Sequence, residues 1–303
     1  MAIITRSSIP NLLLPYLKKI NGEYETYADE WKQIFKVEDS DKAVEFIAQM
    51  QGTGLAGLKN EGEAMNQDAG SRQKYITSFT NQAIALSTII TREAIDDNQY
   101  KKDFPRLAEN LKQSLRSTKD TIAGLFMANA FTNLGGDGKS YFATDHPYTG
   151  GSFSNRLALA LNEASIEQAM ILSKNFRSES GLRMPAQLRK LIVDPINIFA
   201  AERVTKSIYA PDNANNAINP VYTMGLIREG YKDNNYINIT NSATPNWFVL
   251  TDKPGLVLFQ RIKAEFEVNA DPIGTTKNMI FTAYERYSLN MFDPRCAIGS
   301  TGS

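Results

Sequence analysis

One helix dominates what this chain can become. Between residues 97 and 133 the apolar side chains Phe104, Leu107, Leu111, Leu115, Ile122, Leu125 and Phe126 recur on a single stripe, with Lys101, Lys102, Lys112, Arg116 and Lys119 among the polar positions. Asp96 or Asp97 stands where a cap belongs, and a carboxylate there also meets the positive end of the helix dipole. Pro105 marks an alternative start for the regular helix. The Gly135–Gly136 pair is a stop signal. At 1.5 Å per residue the element is roughly 40–55 Å long, more than a small domain needs, and it reads as a beam along one edge of the molecule.

The sequence around the beam is less self-sufficient. Pro10 and Pro15 bracket Leu12–Leu14, so the N-terminus reads as an extended arm rather than a signal peptide. Tyr24, Tyr27, Trp31, Ile34 and Phe35 share a helical face, and Ser40 to Met50 reads as a second short helix carrying Val44, Ile47 and Ala48. Residues 51–75 hold five glycines and few large apolar groups. The run KYITSFTNQAIALSTIITRE that follows is strand-like, so the pair suggests a long hairpin with a polar tip. Such a tip is either a disordered surface loop, which composition favours, or an arm that reaches onto a neighbouring subunit.

Beyond the helix, Ser165 is placed to cap a helix through Phe176, LRKLIVDP reads as a buried strand, and a helix follows from Ile196 to about Tyr209. YINIT, NWFVLTD, GLVLFQRI, AEFEVNA and NMIFTAYERYSLNMFD alternate with turns. Helices come first and most strands late, an α+β pattern.

Chemistry is hard to find. Lys+Arg and Asp+Glu number 33 each, so the formal charge is zero, unlike a free-standing nucleic-acid binder. One Cys and one His allow neither an internal disulfide nor a zinc cluster. Gly138–Lys139–Ser140 matches the end of a phosphate-binding loop, but Asn133 replaces its first glycine and a helix, not a strand, precedes it. It reads as a helix-terminating turn. His146 reads as a loop histidine ordering the turn before Pro147, and Cys296, near Arg295, as a packed thiol. Asp96 and Asp97 read as a cap rather than a metal or acid–base pair. Tyr284 and Arg286 share one strand face and Tyr287 the other, which is ordinary two-sided packing rather than a nucleic-acid patch. No catalytic, cofactor or metal site is expected, and no enzyme.

What remains is architecture, and the order of its parts resembles the major capsid protein of tailed bacteriophages, the Hong Kong 97-type fold, and within it the Mu-type head subunit group. ALSTIITREAIDDNQY at 85–100 is similar to the strand leading from the extended loop into the spine helix. YFATDHPYTGG at 141–151 resembles the segment after that helix. RKLIVDPINIFAAERV at 189–204 and KNMIFTAYERYSLNMFDPRCAIG at 277–299 resemble the family's strand–Pro–helix step and its closing strands. The resemblance covers about residues 50–303.

The resemblance implies an N-arm at 1–51 and an extended loop at 52–92. It implies a peripheral domain with the spine helix at 93–160 and 262–293, and an axial domain at 161–261 and 294–303. It implies self-assembly as pentamers and hexamers into an icosahedral shell around double-stranded DNA, in a virion capsid assembled in the host cytoplasm, with a portal and a scaffold as partners. No segment long enough for a built-in scaffold precedes the arm, so the expectation is either a separate scaffold protein or a mature product, and the initiating Met1 favours the separate scaffold. Lys59, Glu61, Glu63, Arg72 and Lys74 give the loop both charge signs and are the expected inter-subunit contacts. An encapsulin-type compartment shell of the same fold is the alternative function, and a nucleotide-binding enzyme using Gly138–Ser140 a remoter one.

Overall fold

The computed structural model describes residues 29–65, 67, 72–97, 100–209, 217–237, 245–270 and 278–302. Two sheets and a long helix organise it. Strands β1 (Lys36–Asp39), β2 (Val44–Gln51), β3 (Arg72–Thr80) and β4 (Gln82–Ile90) come first, then α1 (Arg92–Asp96) and α2 (Tyr100–Asn129). A small ribbon of β5 (His146–Tyr148) and β6 (Gly151–Phe153) precedes β7 (Arg156–Leu157) and α3 (Glu163–Lys174). Then come β8 (Leu188–Val193), α4 (Ile198–Lys206), α5 (Pro220–Thr223), β9 (Tyr231–Asp233) and β10 (Trp247–Thr251). The long strands β11 (Leu256–Ala270) and β12 (Met279–Met291) and the short β13 (Ala297–Ser300) close the chain.

The first sheet has the order β1-β11-β12-β4, the second β7-β13-β10-β8-β9. The 30-residue α2 lies across the first sheet, roughly 45 Å long. Its stripe does what the spacing demands: Ala108, Leu111 and Leu115 pack on Phe266, Phe281 and Ala283. One turn region further on, Ala123 and Met127 join Trp31, Phe142, Phe248 and Leu258 in a core shared by both sheets. At its centre the second sheet is apolar on both faces. Every residue of β10 is buried, and the Trp247 indole N–H donates to the Leu159 carbonyl at 2.9 Å.

Several expectations are corrected. Residues 44–51 are a strand, not a helix: Val44, Phe46, Ala48 and Met50 alternate with Glu45, Ile47, Gln49 and Gln51, and pairing with β3 from Val44↔Thr80 to Gln51↔Arg72 fixes them as one half of a ribbon. Asp96 does not cap the long helix; it ends α1 in an ion pair with Arg92 at 2.9 Å. The cap of α3 is Asn162, whose side chain accepts from the Ser165 amide, while the Ser165 hydroxyl accepts from the Asn162 N–H. GLVLFQRI and AEFEVNA are one strand, irregular between Gln260 and Glu265. YINIT is not a strand where it is described: Tyr236 and Ile237 lie in a turn, and its last three residues lie outside the described residues. The helix expected to reach Tyr209 stops at Lys206, and Trp31–Gln33 forms a single 3₁₀ turn. Tyr24 and Tyr27 lie outside the described residues.

Candidate functional site

The features that point outward are a projecting hairpin and the way it is fastened. β2 and β3 pair antiparallel, and the described part of the tip between them is residues 52–65 and 67. The inner face of this ribbon is anchored at its base. Phe79 is buried and meets Phe259 edge-on at 4.9 Å, in a cluster with Val257, Ile47 and Phe292. The Gln49 side-chain amide donates to the Phe292 carbonyl at 2.6 Å.

At Asn81 the chain passes from β3 in the ribbon to β4 in the first sheet, and this joint is pinned from three sides. The Asn81 amide donates to the Ser40 hydroxyl at 2.9 Å and to the Lys42 carbonyl at 2.8 Å, and its oxygen accepts from the Ser288 hydroxyl at 3.0 Å. A buried Asn with both ends satisfied fixes a geometry that apolar packing alone leaves free. Gly136 lets the ribbon approach the turn after α2: a Cβ there would stand 2.8 Å from the Thr77 hydroxyl.

The outer face is left open. Phe46, Met50 and Ile76 are more than half exposed, and Leu55, Leu58 and Met65 stand out along the tip. Lys59, Glu61 and Glu63 are exposed at the tip and Arg72 at the start of β3. Lys74 is half-buried, its ammonium 5.3 Å from the Tyr75 ring centre. The structure therefore places the five expected contact residues on one projecting element. The apolar residues beside them are the part that sequence reasoning passed over, because Phe46 and Met50 were assigned to a helix.

A second fastening holds the start of the described chain to the long helix. The Trp31 amide donates to Asp120 at 3.0 Å, and Asp29 pairs with Arg116 at 3.1 Å and Lys32 at 2.8 Å. Beneath them, the buried Lys119 ammonium lies 4.6 Å from the Trp31 ring centre and 4.5 Å from that of Tyr287, and pairs with Glu285. Burial pulls the lysine below its usual range, against the pull of Glu285. Burial also pushes Asp120 up to about 6; the Trp31 N–H opposes the shift and the charges of Asp29 and Glu30 add to it.

The open face of the first sheet carries a cleft of about 480 Å³, lined in part by Ala85, Ser87, Glu265, Glu267, Thr282 and Tyr284. It gathers no acid–base or nucleophilic set. Lys139 is tied to Asp145 rather than free for a phosphate, and Ser140 bridges back to Leu134. Cys296 is buried, and its thiol is pushed well up by that burial. Among the described residues no cluster of His, Cys, Asp and Glu could hold a metal. No described helix is long and apolar enough to cross a membrane.

Comparison with known proteins turns this geometry into a family. A model described as phage capsid protein matches residues 76–299. The procapsid subunit of bacteriophage JBD30 is similar at a TM-score of 0.54 and 14% identity, covering 99% of this chain and 77% of that one. The capsid of the cyanophage P-SCSP1u gives a TM-score of 0.60 at 11% identity, covering 90% and 88%. A virus-like particle from Pyrococcus furiosus gives 0.54 at 9%, covering 94% and 98%. No curated protein sequence matches.

Proposed function

The chain belongs to the phage capsid protein family, and from that premise we propose how it builds a head. It has the Hong Kong 97-type α+β fold and is a major capsid protein of an icosahedral shell. In our reading the subunits associate as pentamers and hexamers, and the β2–β3 hairpin is the extended loop that overlaps a neighbour. We assign that loop to Val44–Thr80. The sheet carrying α2 becomes the peripheral domain and the β8–β10–β13 sheet the axial domain. The D-H-P run at 145–147 supports a place in the Mu-type group.

The observation that carries this reading is the hairpin itself. Its base is fixed by Phe79, Gln49 and Asn81, while its outer face presents Phe46, Met50 and Ile76 to solvent. An apolar ribbon rimmed by Lys59, Glu61, Glu63, Arg72 and Lys74 suits an overlap between copies, in which many weak contacts sum in a closed assembly. The zero formal charge suits hundreds of copies packed together and DNA that is enclosed rather than gripped. Separate scaffold and portal proteins are the further partners we propose, with assembly in the host cytoplasm. The role is structural rather than enzymatic.

Deleting residues 58–74 tests the reading. The subunit is expected to fold, because the ribbon's anchorage lies at its base, and stable shells are expected to be lost; normal shells from the deletion would contradict it. The similarity to a virus-like particle keeps a compartment shell as the second reading. The contents of native particles separate the two: DNA for the phage head, a cargo protein for the compartment.

A further inference from the structure

His146 is buried and hydrogen-bonded at both ring nitrogens, with Nδ1 2.6 Å from Asp137 Oδ2 and Nε2 3.0 Å from Asn155 Oδ1. The partners decide where its protons are. The Asn155 amide nitrogen faces the carbonyl oxygens of Tyr141 at 2.9 Å, Pro294 at 2.8 Å and Ala297 at 3.4 Å, so it is the donating end. The Asn155 oxygen already accepts the Ala143 N–H at 2.9 Å. Turning the amide over would set oxygen against carbonyls and N–H against N–H. Nε2 must therefore donate. At the other nitrogen, a bare lone pair 2.6 Å from a carboxylate would be repelled. The second Asp137 oxygen accepts the Lys139 amide at 3.1 Å, which holds the carboxylate in place.

We propose that His146 is held as an imidazolium bridging Asp137 and Asn155, so that one proton ties three segments of the fold together. The three are the turn after α2, the β5–β6 ribbon, and the Pro294–Ala297 segment leading into β13. The Asn155 carbonyl extends the link by accepting the Gly299 amide at 3.0 Å. Other ionisable groups surround the site. Asp145 is next in the chain and is paired with Lys139. Tyr75, Tyr141, Glu179 and Arg295 line the adjoining small cavity, where Arg295 pairs with Glu179 and with Asp293. Since Tyr75 belongs to the projecting hairpin, the joint sits where the hairpin meets the body. Losing the Asp137 carboxylate would leave Nδ1 without its partner and loosen the joint.

The chain has a single histidine, so ¹⁵N-labelled histidine reports this ring and no other. In the full-length protein at neutral pH, both ring nitrogens are expected to resonate as protonated. In Asp137→Asn, whose amide can donate to Nδ1, the ring is expected to become the neutral Nε2–H form. A neutral ring in the wild-type protein, or an imidazolium unchanged in Asp137→Asn, would overturn the proposal. Should Asp137→Asn fail to fold, the wild-type spectrum decides. Amide exchange in Asp137→Ala, which has no group to hold Nδ1, supplies the second readout. Exchange protection of the Ala143 and Gly299 amides should then fall roughly tenfold relative to α3, as expected for loss of about one net hydrogen bond; unchanged protection would sink the latch.

Discussion

Lys119 Nζ lies 3.1 Å from Glu285 Oε2, and neither side chain is more than 2% exposed. The pair joins the long helix to the central strand β12, and the rings of Trp31 and Tyr287 flank the ammonium. A buried pair of this kind is costly to break because the surviving charge has no water to turn to. Lys119→Met or Glu285→Gln alone should cost about 3–5 kcal/mol, whereas the double change Lys119→Met with Glu285→Leu should recover much of that loss. Urea denaturation of the three variants measures this. Single variants within about 0.5 kcal/mol of wild type would show that the pair contributes little.

Asp120 makes the same junction sensitive to pH. Its folded value of about 6 lies above the ordinary 3.8, so between those values the folded state binds more protons than the unfolded chain. Its contribution to stability therefore rises as pH falls from 7 to about 4, and is lost as pH rises through 6. Asp120→Asn keeps an oxygen acceptor for the Trp31 amide and removes the titration. At neutral pH the variant should be as stable as wild type or more so by on the order of 1 kcal/mol, with a flatter profile between pH 4 and 7. Denaturation midpoints at both ends of that range give the comparison.

Much of this was legible beforehand, for a physical reason. The stripe from Leu107 to Phe126 and the alternation of β12 are long patterns with one buried face, and burial on one face is what periodicity records. The segment 44–51 matches a helix on Val44, Ile47 and Ala48, yet it alternates as a strand whose apolar side, Phe46, Ala48 and Met50, is the exposed one, with only Ile47 among the large apolar residues turned to the packed side. Its strand identity comes from β3, a partner distant in sequence. The Lys119–Glu285 pair was invisible likewise: 166 residues separate two charges that look like any solvated pair until the fold buries them. The cap of α3 was misplaced by three residues because Ser165 is the other half of the same capping box.

Gly124 is a position where helix propensity and packing disagree. In mid-helix, Gly→Ala should stabilise by about 1 kcal/mol. Here the added Cβ would stand 2.3 Å from the Tyr236 carbonyl oxygen, which is backbone and cannot swing away. Gly124→Ala should therefore destabilise by about 1–3 kcal/mol. A thermal melt decides, and a higher midpoint than wild type would show that α2 and the Tyr236 turn can separate freely.

The hairpin's two faces make separable predictions. Phe46→Ser and Ile76→Ser alter only the open side and should leave subunit stability within about 0.5 kcal/mol of wild type. They should nevertheless reduce the yield of shells. Phe79→Ala, on the anchored side, should cost about 3–5 kcal/mol in the subunit itself. Chemical denaturation alongside electron microscopy separates the two effects.

The central claim is that this chain completes itself by closing into a shell with its own copies. Sedimentation velocity with negative-stain microscopy of the full-length protein, over a wide concentration range, tests it most directly. Closed shells, or rings of five and six subunits, are the predicted result. A monodisperse monomer at every concentration would contradict this self-completion and make the proposed scaffold obligatory for any shell.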